Sequence, residues 1–321
     1  MNRDRRQRKG AHSRHGGDTV AIVSTQRASM ERTLQFVAYH LRLGVDHIFL
    51  FLDDPNDLAA ERLRNQSKTT CIPCDSQHWR EVAGDRPVMV QHRQVANANH
   101  FLQSQRGEFT WMIHLDSDEL LCCPGGLQRT LECEGVNVQH LKMRPWEAVP
   151  ESQDCRDAFR EVHLFKVPRC RRYRLAWRLA ARRGFFQGEY LRGYFTGKPA
   201  IRLDGSVRTM NIHRPKNDDG TDIASTVSKG ISVLHYDAAS FDEWQTKWAT
   251  KIERFDQSRW SPNRRSQSEY FAELMRRGDM SKLREFYNQL YLLPHWDQFV
   301  LKRLGLLKRV DIPLEEFELP V

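Results

Sequence analysis

The feature that most limits what this chain can fold into is a set of apolar runs that alternate with helical patterns and end in acid. TVAIVST (19–25), HIFLFLDD (47–54) and WMIHLDSDELL (111–121) each open with β-branched, aliphatic or aromatic residues. Short continuous runs of this kind read as strands buried on both faces. Between the first two, Met30, Leu34, Val37 and Leu41 recur at three-to-four spacing and Gly44 follows in a stop position, which predicts a helix. Leu58 and Leu63 lie on a further helical pattern, KTTCIP reads as a short strand, and residues 88–105 form a longer helical segment. Strand and helix alternating in this order predict an α/β fold with a mainly parallel central sheet flanked by helices. Ligands of such sheets bind outside the carboxyl ends of the strands. Asp53-Asp54 and Asp116-Ser117-Asp118 both fall at such ends, so the two acidic clusters are expected to be neighbours in space.

Beyond this region, Cys122 to Gly126 interrupt the pattern and VNVQHLKM (136–143) is another expected strand. SVLHYD is a strand ending at His235, and SFDEWQTKWATKIERF after it reads as an amphipathic helix. Ser240 and Glu243 have the spacing of a capping box, and Phe241, Trp244, Trp248, Ile252 and Phe255 share one face. The rest of the chain is expected to be a helical extension, and the Arg-rich residues 1–18 a disordered basic tail. Fifty Lys and Arg against 41 Asp and Glu give +9, which suggests an anionic partner. Ten basic residues against two acids lie between 156 and 183, interleaved with Phe, Tyr and Trp. This cluster, with Leu175 and Trp177 in it, would suit an anionic acceptor or peripheral contact with an anionic membrane. Seven cysteines without dense spacing fit a reducing compartment. No apolar core of a signal peptide follows the tail, and no run nears the roughly 18 apolar residues of a membrane span. The expected location is cytoplasmic, with any membrane contact at the inner face.

Asp116, Asp118 and Glu119 crowd three carboxylates into four positions, where they repel one another unless a cation sits among them. Carboxylates at a strand tip suit a hard divalent ion, Mn²⁺ or Mg²⁺, with room left for substrate phosphates. The same residues would also serve as a turn or a helix cap. Other site chemistries fit less well. Cys71 and Cys74 with the adjacent Cys122 and Cys123 make a poor tetrahedral zinc centre. STQRASMER after the first strand lacks the Gly-rich loop of a dinucleotide enzyme or a sugar nucleotidyltransferase. The basic segments come without a helix-turn-helix, zinc-finger or RNA-recognition signature, so nucleic acid is not the expected partner.

TVAIVSTQRASMERTLQFVAYHLRLGVDHIFLFLDDPND resembles the opening of family 2-like glycosyltransferases of the GT-A fold. RQVANANHFL with FTWMIHLDSDELL resembles that group's polar helix and its strand ending in D-x-D-E. GKPAIRLDGSVRTMNIHRP with SVLHYDAASFDEWQTKW resembles its C-terminal half. The resemblance implies a nucleotide-sugar-binding half at 19–150, an acceptor-binding half at 151–236 and a helical extension at 237–321. It implies metal-dependent transfer of a sugar from a nucleotide diphosphate sugar, expected to be a UDP-sugar, to a hydroxyl of a saccharide, polysaccharide or glycolipid acceptor, with inversion. In that scheme Asp116 lies near ribose and metal, and Asp118 is a catalytic metal ligand. Asp53 meets the base, Thr25 and Glu31 flank the nucleotide, and Arg93, with Gln94, Asn97 and Asn99 on the same segment, would reach diphosphate or base. Glu31 is also explained by the helix dipole, and the polar segment by a solvated helix face. A histidine often completes the metal site; His235 is the expected ligand and His213 the other candidate. An inverting displacement needs a general base, for which Glu189 and Asp204 are the candidates, although Asp204-Gly205 also reads as a turn. The alternative to an enzyme is a non-catalytic protein that binds nucleic acid or an anionic surface through its Arg-rich segments.

Overall fold

The apolar runs become the middle of one sheet. In a computed structural model, which describes residues 17–104, 107–168, 190–254 and 260–320, β1 (Val20–Gln26) is buried along its whole length. It is followed by β2 (His47–Leu52), β3 (Thr69–Pro73) and β4 (Trp111–His114), and these pair in parallel in the order β3, β2, β1, β4. The connections carry α1 (Met30–Arg42), the short α2 (Ala59–Arg62), α3 (Ser76–Ala83) and α4 (Val90–Ser104). Ser29 starts α1, its hydroxyl accepting from the Arg32 N–H at 3.3 Å, so one orphan donor of the first turn is satisfied. α3, which no hydrophobic periodicity announced, is capped in the same way by Asp75.

After β4 the chain turns directly into β5 (Glu119–Cys122), then α5 (Leu127–Glu132), β6 (His140–Val149), α6 (Ala158–Glu161), β7 (Leu164–Lys166) and β8 (Lys198–Arg202). β9 (Thr209–Met210) and β10 (Pro215–Lys216) form a small separate ribbon, and β11 (Thr226–His235) returns to the main sheet. The last part holds α7 (Phe241–Arg254), α8 (Pro262–Arg277), α9 (Met280–Tyr291), α10 (His295–Arg303) and β12 (Leu307–Arg309). The ten-stranded sheet runs β12, β7, β6, β8, β4, β1, β2, β3, with β11 pairing both β5 and β6. The expected parallel order holds for β3 to β4 and again for β6 with β11. β8 lies between β4 and β6 and is antiparallel to both. Its amino end, Lys198, therefore comes to the carboxyl edge of β4, and its carboxyl end goes to the opposite edge.

Three further details differ from the sequence reading. The strand expected at 136–143 is His140–Val149, β5 follows the acidic turn at once, and the extension expected to be helical contains β12, which pairs with β7. The end of the chain also returns to the first helix, where Phe317 lies between the rings of Tyr39 (5.9 Å) and Phe159 (6.1 Å), stacked on both. The capping box at α7 is half formed. Ser240 Oγ accepts from the Glu243 N–H at 3.3 Å, but the Glu243 carboxylate reaches across to Arg32 of α1 at 2.6 Å. The other side of α7 inserts Trp244, fully buried, among Trp248, Phe271, Phe286 and Tyr287. Phe255, expected on that face, lies outside the described residues.

α1 is bolted to β5 by two buried polar side chains. Tyr39 OH donates to the Leu121 carbonyl at 2.6 Å, and His40 Nδ1 donates to the Phe36 carbonyl at 2.8 Å while its Nε2 accepts from the Leu121 N–H at 3.2 Å. Burial pushes the His40 pKa from 6.5 down to about 3, against the smaller upward pull of its Phe36 bond.

Phe317→Ala should cost about 3 kcal/mol in urea unfolding, because it empties a packed site, whereas Leu314→Ala, exposed beside it, should cost under about 0.5 kcal/mol. Equal effects would refute the docking of the chain end on α1. His40 titrates lower in the folded chain than in the unfolded one, so its stabilisation is complete above about pH 6.5 and is lost as pH falls, at about 1.4 kcal/mol per pH unit. The urea midpoint should accordingly drop from pH 7 to pH 5. Over the same range the imidazole ¹⁵N shifts of His40 should stay those of the neutral Nδ1–H form, and a titration near 6.5 would contradict the buried bond pair.

Candidate functional site

One edge of the sheet collects most of the charged side chains buried in it. β4 and β11 deliver Asp116 and His235 just at or beyond their carboxyl ends, β6 delivers Glu147 beside His235, and the antiparallel β5 and β8 deliver Glu119 and Lys198 from their amino ends. The Tyr236 N–H donates to the Asp118 carbonyl at 2.9 Å, which locks the acidic turn to the segment that follows β11.

Lys198, with no exposed surface, is the centre of the first charge group. Its Nζ lies 2.7 Å from Asp116 Oδ2 and 3.2 Å from Glu119 Oε2. Asp116 Oδ1 also accepts from Gln94 of α4 at 2.7 Å, and Glu119 Oε2 accepts from the Asp116 N–H at 2.8 Å. Burial raises the Asp116 pKa, but the adjacent ammonium outweighs it and holds the carboxyl below its usual range. Glu119 is fully buried, and burial, only partly opposed by Lys198, pushes it up to about 7. Tyr194 bonds Glu119 through its hydroxyl and covers Lys198 with its ring, 5.5 Å from the ammonium. His114, at the end of β4, finds no hydrogen-bond partner for either ring nitrogen among the described residues, and burial pushes it down to about 3.

The second group is built from Asp118, His235 and Asp237, whose ligand atoms all lie within 4.8 Å of one another. Two carboxylates and an imidazole at this spacing are a donor set for a divalent cation. The sequence reading named Asp116, Asp118 and His235; the structure groups Asp237, rather than Asp116, with Asp118 and His235. The reason is electrostatic, because Asp116 is drawn to Lys198 and Gln94 and away from the cluster. Asp118 Oδ2 faces Lys247 Nζ of α7 at 2.7 Å, and Asp237 Oδ1 lies 3.6 Å from Lys247 and 3.8 Å from Lys251. Burial raises both carboxyls, but these lysines outweigh it and hold them well below the usual range.

His235 is positioned by a short loop. Glu147 Oε2 accepts from the N–H groups of Arg192 (2.5 Å) and Gly193 (2.7 Å), while its Oε1 meets Lys166 at 3.1 Å. The loop's far side is held by Arg264, which donates to the Arg192 carbonyl at 2.9 Å. Gly193 then packs so closely that a Cβ there would come within 2.6 Å of His235 Cε1 and 2.7 Å of Nδ1. Tyr194 follows, 4.9 Å from the His235 ring and 5.0 Å from that of His213. His213 itself donates from Nδ1 to the Gly197 carbonyl at 2.8 Å and is not a member of the cation cluster. Neither Asp237 nor this loop had a local signal beyond the H-Y-D spacing in SVLHYD.

The other sequence-predicted residues divide by location. Asp53 is buried against Arg93, 2.9 Å away, and also meets the half-exposed Arg86 at 3.0 Å. Thr25 Oγ1 accepts from Asn97 at 3.0 Å, and Asn97 Oδ1 accepts from His78 at 2.8 Å. Asn99 exchanges two bonds with Met210 of β9. The polar stretch of α4 is thus buried, with Arg93 and Gln94 tying Asp53 to Asp116, and the solvated-face alternative for it does not hold. Glu31 stands exposed in the first turn of α1. Asp204 is a correction. It is exposed, and its Oδ1 caps a turn by accepting from the Ser206 N–H (2.9 Å) and hydroxyl (2.5 Å), with Gly205 at φ +90. Because β8 runs antiparallel, Leu203 bonds Thr110, and Asp204 lies at the edge opposite Asp116, about 23 Å away at 3.3 Å per residue. It is therefore not a candidate base. Glu189 and the basic segment from Arg169 to Arg183 lie outside the described residues.

No protein-family model matches the chain. Two curated Arabidopsis thaliana proteins described as glycosyltransferase-like do. One is 23% identical over 254 residues, 70% of this chain and 54% of that protein, and the other 23% over 260 residues, 70% and 48%. The chain spans about half the length of these relatives. Among solved structures, glucosyl-3-phosphoglycerate synthase from Mycobacterium tuberculosis, in complex with Mn²⁺, UDP-glucose and phosphoglyceric acid, overlaps 59% of this chain and 58% of its own at 14% identity and a TM-score of 0.31. Core-mannan synthase A from Aspergillus fumigatus, in an Mn/GDP form, overlaps 61% and 62% at 14% identity and 0.28. At such TM-scores neither overlap carries an argument about fold.

Gly193→Ala should cost about 1–3 kcal/mol in urea unfolding and move the His235 ring resonances, because the added methyl meets the imidazole. Gly135→Ala, with open space around it, should change stability by under about 0.5 kcal/mol. Unmoved His235 signals in the first variant would show that the loop does not position the ring.

Proposed function

We propose that the chain is a metal-dependent glycosyltransferase of the GT-A fold that moves a sugar from a nucleotide diphosphate sugar to an acceptor hydroxyl. The observation that carries the reading is the convergence of Asp118, His235 and Asp237 at the carboxyl edge of the sheet, beside Asp116 and, through α4, Asp53. Likeness to glycosyltransferase-like proteins over 70% of the chain supports the same class.

Asp118, His235 and Asp237 would hold the ion, and an imidazole among the donors favours Mn²⁺ over Mg²⁺. Once bound, such an ion would supply a Lewis acid that offsets charge on the departing diphosphate. The chain's own residues do the positioning. Gln94 and Lys198 fix the Asp116 carboxylate toward the donor, and the buried Asp53–Arg93 pair holds the β2 end where the nucleoside would lie. Thr25, oriented by Asn97, and Glu31 border that region from β1 and the start of α1. The donor is proposed to be a UDP-sugar, the acceptor a polysaccharide or glycolipid hydroxyl, and the displacement an inverting one, with Glu189 as the base candidate that remains. Among the described residues no helix is long and apolar enough to cross a membrane.

The test is a panel of UDP- and GDP-sugars assayed for transfer and hydrolysis with and without Mn²⁺. Asp118→Ala should lower turnover by roughly a hundredfold or more, whereas Asp204→Asn should leave it within about twofold. Turnover that survives Asp118→Ala, or no nucleotide sugar bound under any condition, would overturn the reading.

A further inference from the structure

The cation cluster already faces a cation that the chain itself supplies. Lys247 Nζ lies 2.7 Å from Asp118 Oδ2, donates to the Asp237 backbone carbonyl, and is 3.6 Å from Asp237 Oδ1. It thus touches two of the three groups whose ligand atoms gather within 4.8 Å. Its root is immobile, because α7 is pinned by the buried Trp244 and Trp248 and by the Glu243–Arg32 pair at 2.6 Å. The side chain is about one-third exposed, and its tip is held by these polar contacts.

We propose that Lys247 is an internal competitor for the divalent-cation site, and that this competition makes cation binding and nucleoside-diphosphate binding depend on each other. This rests on the reading of the site given above. A divalent ion on Asp118 would stand next to the Lys247 ammonium, and the two repel, so the ammonium in its observed place opposes entry of the ion. The ion binds more readily as the ammonium moves off. The displaced ammonium, tethered to a fixed helix, stays at the rim of the cluster and keeps repelling the ion. A diphosphate arriving at that rim neutralises both cations, so each ligand improves the binding of the other by the same factor. Lys251, 3.8 Å from Asp237 and not in contact with Asp118, adds to the same field more weakly.

The experiment is Mn²⁺ titration of the full chain, read by the electron paramagnetic resonance of free Mn²⁺, with and without UDP, for the natural chain, Lys247→Met and Lys251→Met. Folding of each is checked by circular dichroism and thermal melting. Lys247→Met should bind Mn²⁺ alone about tenfold or more tighter than the natural chain, and UDP should tighten Mn²⁺ binding less in the variant. Lys251→Met should act in the same direction with a smaller factor, and it carries the test if Lys247→Met does not fold. Unchanged or weaker Mn²⁺ affinity in a folded Lys247→Met chain, or no Mn²⁺ bound by either folded variant, would overturn the proposal. The Mn²⁺-only arm needs no nucleotide, so a chain that ignores UDP but gains Mn²⁺ affinity on losing Lys247 would retain the competitor and overturn the coupling and the UDP donor, leaving the wider sugar-donor reading to the nucleotide-sugar panel.

Discussion

The organisation of this protein depends on mutual repulsion of carboxylates at one sheet edge. Asp116, Asp118, Glu119, Glu147 and Asp237 converge there, and each is met by a cation or by backbone N–H groups. An uncompensated buried carboxylate would cost several kcal/mol, so the elements that bring Lys198, Lys247 and Lys166 to this edge are as necessary as those that bring the acids. The compensation is uneven. Asp116 and Asp118 are held as anions, whereas Glu119, with no exposure and a shared lysine, is pushed to about 7 and acts as a hydrogen-bonding brace between Tyr194 and the acidic turn.

The reversed strand β8 resolves the first part of this problem. A parallel strand in its place would present its carboxyl end to the site; running antiparallel between β4 and β6, it presents Lys198 to Asp116 and Glu119. The second part falls to helices that follow β11. α7 carries Lys247 and Lys251 three and seven residues on from Trp244, along the edge of its tryptophan face, so packing of Trp244 and Trp248 sets where the ammonium groups stand. Core packing and site electrostatics are therefore coupled through one helix.

The loop that carries Gly193 and Tyr194 links these two halves. Glu147 anchors its backbone, Arg264 holds its other side, and only a residue without a Cβ fits against His235. Close packing of Gly193 restricts the room of the imidazole, and the Glu147 bonds to the Arg192 and Gly193 N–H groups hold the loop in that position.

Much of the sheet was legible in the residue pattern. β1, β2, β3 and β4 fall on the apolar runs, α1 on its three-to-four spacing, and α7 on its tryptophan face, because local hydrophobic periodicity reports burial directly. The rule that ligands meet the carboxyl ends of parallel strands also brought Asp53, Asp116 and Asp118 to one edge. Strand direction beyond β4 was not legible, since it is set by pairing between distant segments; Asp204 reads like a strand-end acid yet lies on the far edge for that reason alone. The amino-acid sequence by itself determined which segments are buried and which acids stand at their ends. Only the tertiary structure decided that Asp237 joins Asp118 and His235 while Asp116 turns to Lys198, because that choice depends on which distant ammonium lies nearest each carboxylate.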